Sequence, residues 1–184
     1  MTTESFIPFI KDYYKTKFSV TLEDTFFNAW IFSEGLPADC PTPVSVKFTE
    51  VEKALNIWKT TQKVESNITK NWSTHEWLHF LKNLPDSLSL QQMKALDQAG
   101  HFTASGNAEI ITVWGTLAIQ HQYEDAYSKI EDFLIHTGRR KFLMPLYSEL
   151  IKTESGKKRA LSVYEKARPN YHFVAVNSLD KLLR

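Results

Sequence analysis

Hydrophobic residues recur at three- and four-residue spacings along almost the whole chain, which is the period of an amphipathic α-helix. Near the N-terminus Phe6, Phe9, Ile10, Tyr13 and Tyr14 follow this spacing. The pattern predicts further helices near residues 47–66, 73–84, 89–99, 106–121, 124–137, 142–153, 157–167 and 174–183. No stretch shows the two-residue alternation of a strand, so we expect an all-α protein.

Residues that commonly start or end helices support these boundaries. Ser73 and Glu76 form a capping-box pattern at the start of one helix. Pro85, Gly138 and Pro169 each lie where a helix is predicted to end. The connections are short, which favours antiparallel neighbours. We therefore expect stacked helical hairpins in a solenoid-like bundle, without a fixed repeat length in the sequence.

Residues 33–43 interrupt the helical pattern. They read SEGLPADCPTP and include three prolines and one glycine. This composition is typical of a loop or an extended linker. The segment is the strongest candidate boundary in the chain and would separate residues 1–32 from residues 44–184.

The composition narrows the possible functions. The chain has 184 residues, and 22 Lys and Arg balance 21 Asp and Glu, for a formal net charge of +1. This balance gives no electrostatic argument for binding nucleic acid or an anionic membrane. The single cysteine, Cys40, excludes an intrachain disulfide and a multi-cysteine metal site. No apolar run approaches the roughly 18 residues of a membrane span, and Met1–Lys15 lacks the pattern of a signal peptide.

Residues 75–79 contain a possible zinc-binding motif. His75, Glu76 and His79 fit the pattern H-E-x-x-H, in which two histidines bind zinc and the glutamate is the general base. At 100° per residue, however, both histidines fall opposite the apolar stripe of their helix. Zinc peptidases of the gluzincin kind carry a glutamate nineteen residues after the second histidine, and Gln98 occupies that position here. We interpret the motif as a chance match on an exposed helix with a capping box, and a self-contained zinc protease as the alternative.

Two further segments are distinctive. Residues 28–37 read NAWIFSEGLP, and residues 138–147 read GRRKFLMPLY. The first resembles the stretch that joins the catalytic and C-terminal domains in zinc aminopeptidases of the leukotriene A-4 hydrolase family. The second is similar to the G-R-x-K-F-x-x-P-L-aromatic segment of that family's C-terminal domain. Weaker similarities occur at residues 107–110, 123–126 and 172–174.

The resemblance implies that the chain is the C-terminal part of such an enzyme, from a bacterium. It implies an armadillo- or HEAT-like stack of antiparallel helices, a right-handed α-α superhelix, over residues 44–184. This domain would close one side of the active-site cleft. Residues 1–32 would be the last helices of the catalytic domain, and residues 33–43 the Pro-rich linker.

The resemblance also implies where the chemistry takes place. The zinc ligands and the general base would lie upstream, in the catalytic domain, which would be the partner of this chain. The chain alone would hold no cofactor and would be inactive, whereas the complete enzyme would use zinc, with epoxide hydrolysis as a possible second activity. We expect a cytoplasmic protein.

The family's G-R-x-K-F segment binds the free carboxylate of the substrate, and its two cationic positions correspond to Arg139 and Lys141. Between Gly138 and Pro145 we expect a short extended turn, in which residues two apart can point the same way. Two cations beside a helix N-terminus form a good anion site. Arg140 occupies the variable position and would face solvent. Taken without the resemblance, the pattern of these three residues indicates a solvated basic turn.

A third interpretation remains open alongside the aminopeptidase domain and the self-contained protease. Stacked helices often serve as free-standing scaffolds that bind other proteins through a concave face. Such a scaffold would need none of the residues discussed above for catalysis.

Overall fold

The computed structural model describes all 184 residues, and its regular secondary structure is entirely helical. The α-helices are α1 (Thr3–Phe18), α2 (Asp24–Phe27), α3 (Val46–Thr61), α4 (Ser66–Thr69), α5 (Thr74–Lys82), α6 (Leu90–Gly100), α7 (Ala108–Gln120), α8 (Tyr127–His136), α9 (Arg140–Leu150), α10 (Glu154–Ala167) and α11 (Phe173–Leu183). A π-helical turn covers Asn28–Phe32, and 3-10 turns cover Glu124–Ala126 and Arg168–Asn170. No helix combines the length and the hydrophobicity that a membrane crossing requires.

The chain divides into two compact units, Met1–Val44 and Ser45–Arg184. In the first unit, Lys11 Nζ lies 2.5 Å from Asp24 Oδ1, which ties α1 to α2. The assignment of residues 1–32 to a preceding catalytic domain, and of residues 33–43 to a linker, stays a prediction.

The second unit is a stack in which a helix packs mainly on the helix two positions later in the chain. α3 packs on α5, α5 on α7, α7 on α9 and α9 on α11, while α8 packs on α10. Large apolar side chains that are almost completely buried fill the space between these helices; among them are Trp58, Phe80, Phe102, Trp114, Leu143, Leu146, Tyr147 and Leu179. The packing confirms the all-α prediction and the expected stack of short helices.

Local signals in the sequence account for several helix starts. The predicted capping box at α5 is confirmed. The Ser73 side chain accepts a hydrogen bond from the backbone of the first turn, and the Glu76 side chain accepts one from the backbone N–H of Ser73. Asn107 caps α7 by accepting a hydrogen bond from the backbone N–H of Glu109 at 2.9 Å. Each cap supplies an acceptor for an amide that has no partner within the helix.

Several predicted helices begin or end a few residues away from the observed bounds, and two of these differences are informative. The helix predicted over residues 47–66 ends at Thr61, because Gln62 adopts a left-handed conformation with φ 56° and caps the helix there. The helix predicted from residue 142 begins at Arg140, so Pro145 lies inside α9 and not in its first turn. The second difference changes the geometry of the candidate site.

Candidate functional site

The first turn of α9 carries the cationic residues of the G-R-x-K-F segment. Arg139 is the N-cap residue, with an extended backbone at φ −86° and ψ 116°, and Lys141 is the second helical residue. The expectation that Arg139 and Lys141 share an extended turn is therefore wrong. The helix starts two residues earlier because the preceding turn is short: α8 ends at His136, and only three residues separate it from α9.

Arg139 and Lys141 nevertheless meet on one surface, the ring of Phe142. The guanidinium carbon of Arg139 lies 5.5 Å from the ring centroid, and Lys141 Nζ lies 5.4 Å from it. Both distances fall within the range of cation–π attraction. Phe142 itself is buried, so its ring is a fixed platform for two exposed cations. The two charges also flank the N-terminus of α9, where the helix dipole favours an anion.

Glu109 of α7 forms an ion pair with Lys141. The hydrogen bond from Lys141 holds the pKa of Glu109 below its usual value, and the nearby charges of Arg139 and Lys82 act in the same direction. Lys141 has three N–H donors, and this pair uses one of them. Arg139 lies beside the pair, and its guanidinium forms no ion pair of its own.

The position of Glu109 is fixed from α5. Asn107, two residues earlier, donates from Nδ2 to Thr74 Oγ1 at 3.0 Å and accepts from the N–H of Glu109 at 2.9 Å. One side chain thus joins the first turns of α5 and α7. The start of α7 is therefore held in place before Glu109 reaches across to α9.

Arg140 behaves differently from its two neighbours. Its Nε donates to Ser178 Oγ of α11 at 2.7 Å. The residue is exposed, as expected, but its guanidinium is tied to α11 and does not stack on Phe142. Arg140 thus carries the same charge as Arg139 but makes no cation–π contact with Phe142.

Lys141 borders two grooves. One, of about 760 Å³, is broad and open, and it is lined by residues 138–141, by residues 170–172 and by Val174 and Ala175. The other, of about 430 Å³, lies between α5, α7 and α9 and has walls that include Lys82, Glu109 and Phe142. A ligand whose anionic group rests on Lys141 would have room on either side of it.

The H-E-x-x-H residues lie elsewhere, on α5. His75 is exposed, and His79 is half-buried with its ring stacked on Phe48 at a centroid distance of 4.5 Å. The helix is less exposed than expected: of the three motif residues only His75 is exposed, and the side chain of Glu76 is buried where α3 packs on α5. Glu76 accepts hydrogen bonds from Ser73, and its Oε1 lies 3.2 Å from Lys47 Nζ. The bond from Ser73 is the largest cause that lowers the pKa of Glu76 to about 2.

These three side chains do not fit a catalytic zinc site. Glu76 is engaged at the helix N-terminus, and the His79 ring is held against Phe48. No group of three or more His, Cys, Asp or Glu side chains is placed to hold a metal ion. Asp97, the carboxylate nearest to the position of a third ligand in the sequence, accepts hydrogen bonds from the N–H and the hydroxyl of Thr103 at 2.8 and 2.6 Å.

Residues 72–183 match the family model described as leukotriene A4 hydrolase, C-terminal. The chain belongs to this family. The matched region contains α5 to α11, and so both α9 with its two cations and α7 with Glu109. The family assignment made from the segments at residues 28–37 and 138–147 is confirmed.

Curated proteins that are similar in sequence to this chain are much longer than it. Aminopeptidase B of Mus musculus is 23% identical over 193 residues, which cover 98% of this chain and 30% of that protein. Leucine aminopeptidase 2 of Neurospora crassa is 31% identical over 114 residues, which cover 60% of this chain and 17% of that protein. The chain thus spans about a third or less of the curated relatives it matches.

Solved structures show the same fold. Yeast leukotriene A4 hydrolase in complex with bestatin superimposes with a TM-score of 0.76 at 18% identity. The match covers 100% of this chain and 33% of the yeast chain. The whole chain therefore has the fold of the corresponding part of that enzyme.

The sequence did not identify Glu109 and Lys82 as members of the site. Glu109 lies 32 residues before Lys141, and only the packing of α7 on α9 brings the two together. One indication was present: residues 107–110 resemble a segment of the leukotriene A4 hydrolase family, but their spacing carries no chemistry by itself. Lys82 has no such indication.

Proposed function

We propose that this chain is the C-terminal helical part of a zinc-dependent aminopeptidase and that Arg139 and Lys141 bind the free carboxylate of the peptide substrate. The observation that carries the proposal is the placement of both cations over the buried ring of Phe142, at 5.5 and 5.4 Å. Family membership and the aminopeptidase relatives support it. The catalytic part of the same enzyme would be the main partner of this domain.

The electrostatics of the site suit one carboxylate. Arg139 and Lys141 together carry one positive charge more than Glu109 neutralises. A guanidinium can bind both oxygens of a carboxylate through parallel hydrogen bonds, whereas an ammonium acts as a point charge. The N-terminus of α9 adds its partial positive charge. A carboxylate bound here would therefore interact with both cations and with the N-terminus of α9.

The role of the platform in catalysis is positional. A peptide held at its C-terminal carboxylate has one end fixed, so its scissile bond is presented to the reacting groups in a limited set of orientations. A zinc ion held by residues of the catalytic part would supply Lewis-acid chemistry, that is, polarisation of the scissile carbonyl and activation of water. Since the residues of this chain do not fit a zinc site, we assign the zinc ligands to the catalytic part of the enzyme, beyond these 184 residues.

Kinetics of the complete enzyme test the proposal. We would compare hydrolysis of a tripeptide with a free C-terminus and of the same tripeptide amidated at that end. Arg139→Ala and Lys141→Ala should each lower kcat/KM for the free acid by about tenfold to hundredfold, the loss typical of a charged hydrogen bond. Neither variant should change kcat/KM for the amide.

Arg140→Ala is the matched control, because it removes the same charge from the same helix turn without removing a cation from Phe142. It should leave the preference for the free acid in place. The proposal is wrong if the native enzyme does not distinguish acid from amide, or if Arg140→Ala has the same effect as Arg139→Ala.

A further inference from the structure

We infer that Glu109 is a positioning residue of the carboxylate site: it holds the ammonium of Lys141 over Phe142 in the orientation that receives the substrate. This inference rests on the proposed function of Arg139 and Lys141 and adds a third residue, from a different helix, to that site. Glu109 touches Lys141 and is not itself assigned a contact with substrate.

The first step of the argument concerns the freedom of Lys141. A lysine side chain has a long flexible stem, and more than half of the Lys141 side chain is exposed. Cation–π attraction to Phe142 is weak at such an exposed position. The ion pair with Glu109 is the directional contact that fixes the ammonium in one place.

The second step concerns the rigidity of Glu109 itself. Its backbone N–H is capped by Asn107, and Asn107 is bonded to Thr74. A continuous series of contacts therefore runs from α5 through the start of α7 to Lys141 on α9. An ion pair on a flexible loop would not hold the ammonium in one orientation. Glu109 can do so because its helix start is bonded to the start of α5.

The third step concerns charge. A lone glutamate close to a carboxylate site would repel the substrate, but here Glu109 is surrounded by cations. Lys82 lines the same groove as Glu109 and Lys141, and Arg139 lies over the ring of Phe142, close enough for its charge to act on Glu109. The negative charge of Glu109 also offsets part of the repulsion between the neighbouring positive charges. One glutamate therefore stabilises Arg139 and Lys141 close together and still leaves a net positive charge for the substrate carboxylate.

The test uses the complete enzyme with the free-acid tripeptide and its amide. Glu109→Ala should raise KM for the acid by about threefold to fivefold, the effect of losing an exposed charged contact, with kcat and the KM for the amide unchanged. Glu109→Gln keeps a carbonyl acceptor for Lys141 and should keep KM within about twofold. In a Lys141→Ala background, Glu109→Ala should have no further effect on KM.

Glu131→Ala is the matched control. Glu131 of α8 pairs with Arg159 of α10, and Arg159 lies 4.7 Å from the ring centroid of Tyr127, so this group has the same construction away from the site. It should leave both KM values unchanged. The inference is overturned if Glu109→Ala leaves KM for the acid unchanged or lowers it, or if its effect persists without Lys141.

Failure of this inference can be told from failure of the proposed function. If Lys141→Ala does not change KM for the acid, the carboxylate site itself is wrong. If Lys141→Ala does and Glu109→Ala does not, only the role of Glu109 is wrong.

Lysine side-chain NMR of the 184-residue chain gives a readout that needs no activity. The two Hε protons of Lys141 should have separate signals in the native chain and in Glu131→Ala, and should merge in Glu109→Ala. Unchanged Lys141 signals in Glu109→Ala would overturn the inference.

Discussion

Gly115 of α7 lies so close to Leu146 of α9 that a Cβ atom on the glycine would come within 2.9 Å of Leu146 Cδ2. The same Cβ would lie 3.2 Å from Ile130 Cγ1 of α8. The absence of a side chain at Gly115 therefore lets α7 approach α9. This approach is also what brings Glu109, at the start of α7, within reach of Lys141.

Replacing Gly115 with valine should destabilise the fold. Overpacking a well-filled core costs about 1–3 kcal/mol, which exceeds the gain in helix propensity over glycine. Urea denaturation of the 184-residue chain measures the change. Gly106→Val is the control, because a Cβ on Gly106 has no atom within 4 Å. Equal stabilities of the two variants would show that α7 and α9 are not in close contact.

Glu76 should make stability depend on pH in the acid range. Its pKa is lowered from 4.5 to about 2, chiefly by the hydrogen bond from Ser73. Because the folded pKa lies below the ordinary value, the ionised form contributes its full stability above that value. The contribution is lost as the pH falls from 4.5 towards 2.

The variant Glu76→Gln should therefore lose less stability than the native chain between about pH 6 and about pH 3. Thermal unfolding followed by circular dichroism at both pH values gives the comparison. If both chains lose the same stability, Glu76 is not the source of the acid sensitivity.

A buried pair of tyrosines should respond unequally to loss of a hydroxyl. Tyr171 donates to the carbonyl of Leu134 at 2.6 Å, so Tyr147, whose hydroxyl lies 3.0 Å from that of Tyr171, is the donor in their shared bond. Burial raises the pKa of Tyr171 to about 12 and also raises that of Tyr147, so both hydroxyls stay protonated at neutral pH.

Tyr171→Phe should lower the free energy of unfolding more than Tyr147→Phe does. The first change leaves both a buried carbonyl and a buried hydroxyl without a partner, at about 1–3 kcal/mol for each unsatisfied group, whereas the second leaves only an acceptor. Denaturant midpoints of the two variants measure the difference. Equal or reversed costs would contradict this order of donors.

Zinc should not stabilise the 184-residue chain. A metal that binds only the folded state raises the melting temperature in a concentration-dependent way. We expect no saturable rise with added zinc, because Glu76 and His79 are held by other contacts. A saturable rise that disappears in His79→Ala would instead support the self-contained protease.

The parts of this structure that the sequence predicts well are those set by neighbouring residues. The capping box of Ser73 and Glu76 spans three residues, and the apolar spacing of each helix spans a few turns. The end of α3 was missed because Gln62 adopts a left-handed conformation that no local residue preference indicates.

The site was predicted only in part for the same reason. Arg139 and Lys141 lie within one motif, whereas Glu109 joins them through tertiary packing over 32 residues. The burial of Glu76 likewise depends on α3, which packs over α5 from an earlier part of the chain. Contacts between distant helices follow from how complete faces pack, and no short pattern encodes them.

The central claim is that Arg139 and Lys141 bind the substrate carboxylate, and a crystal structure of the complete enzyme with a non-hydrolysable tripeptide analogue tests it most directly. We predict that the C-terminal carboxylate lies at hydrogen-bond distance, about 2.7–2.9 Å, from the Arg139 guanidinium and from Lys141 Nζ. Lys141 should keep its contact with Glu109. A peptide whose C-terminus points away from both cations would contradict the account.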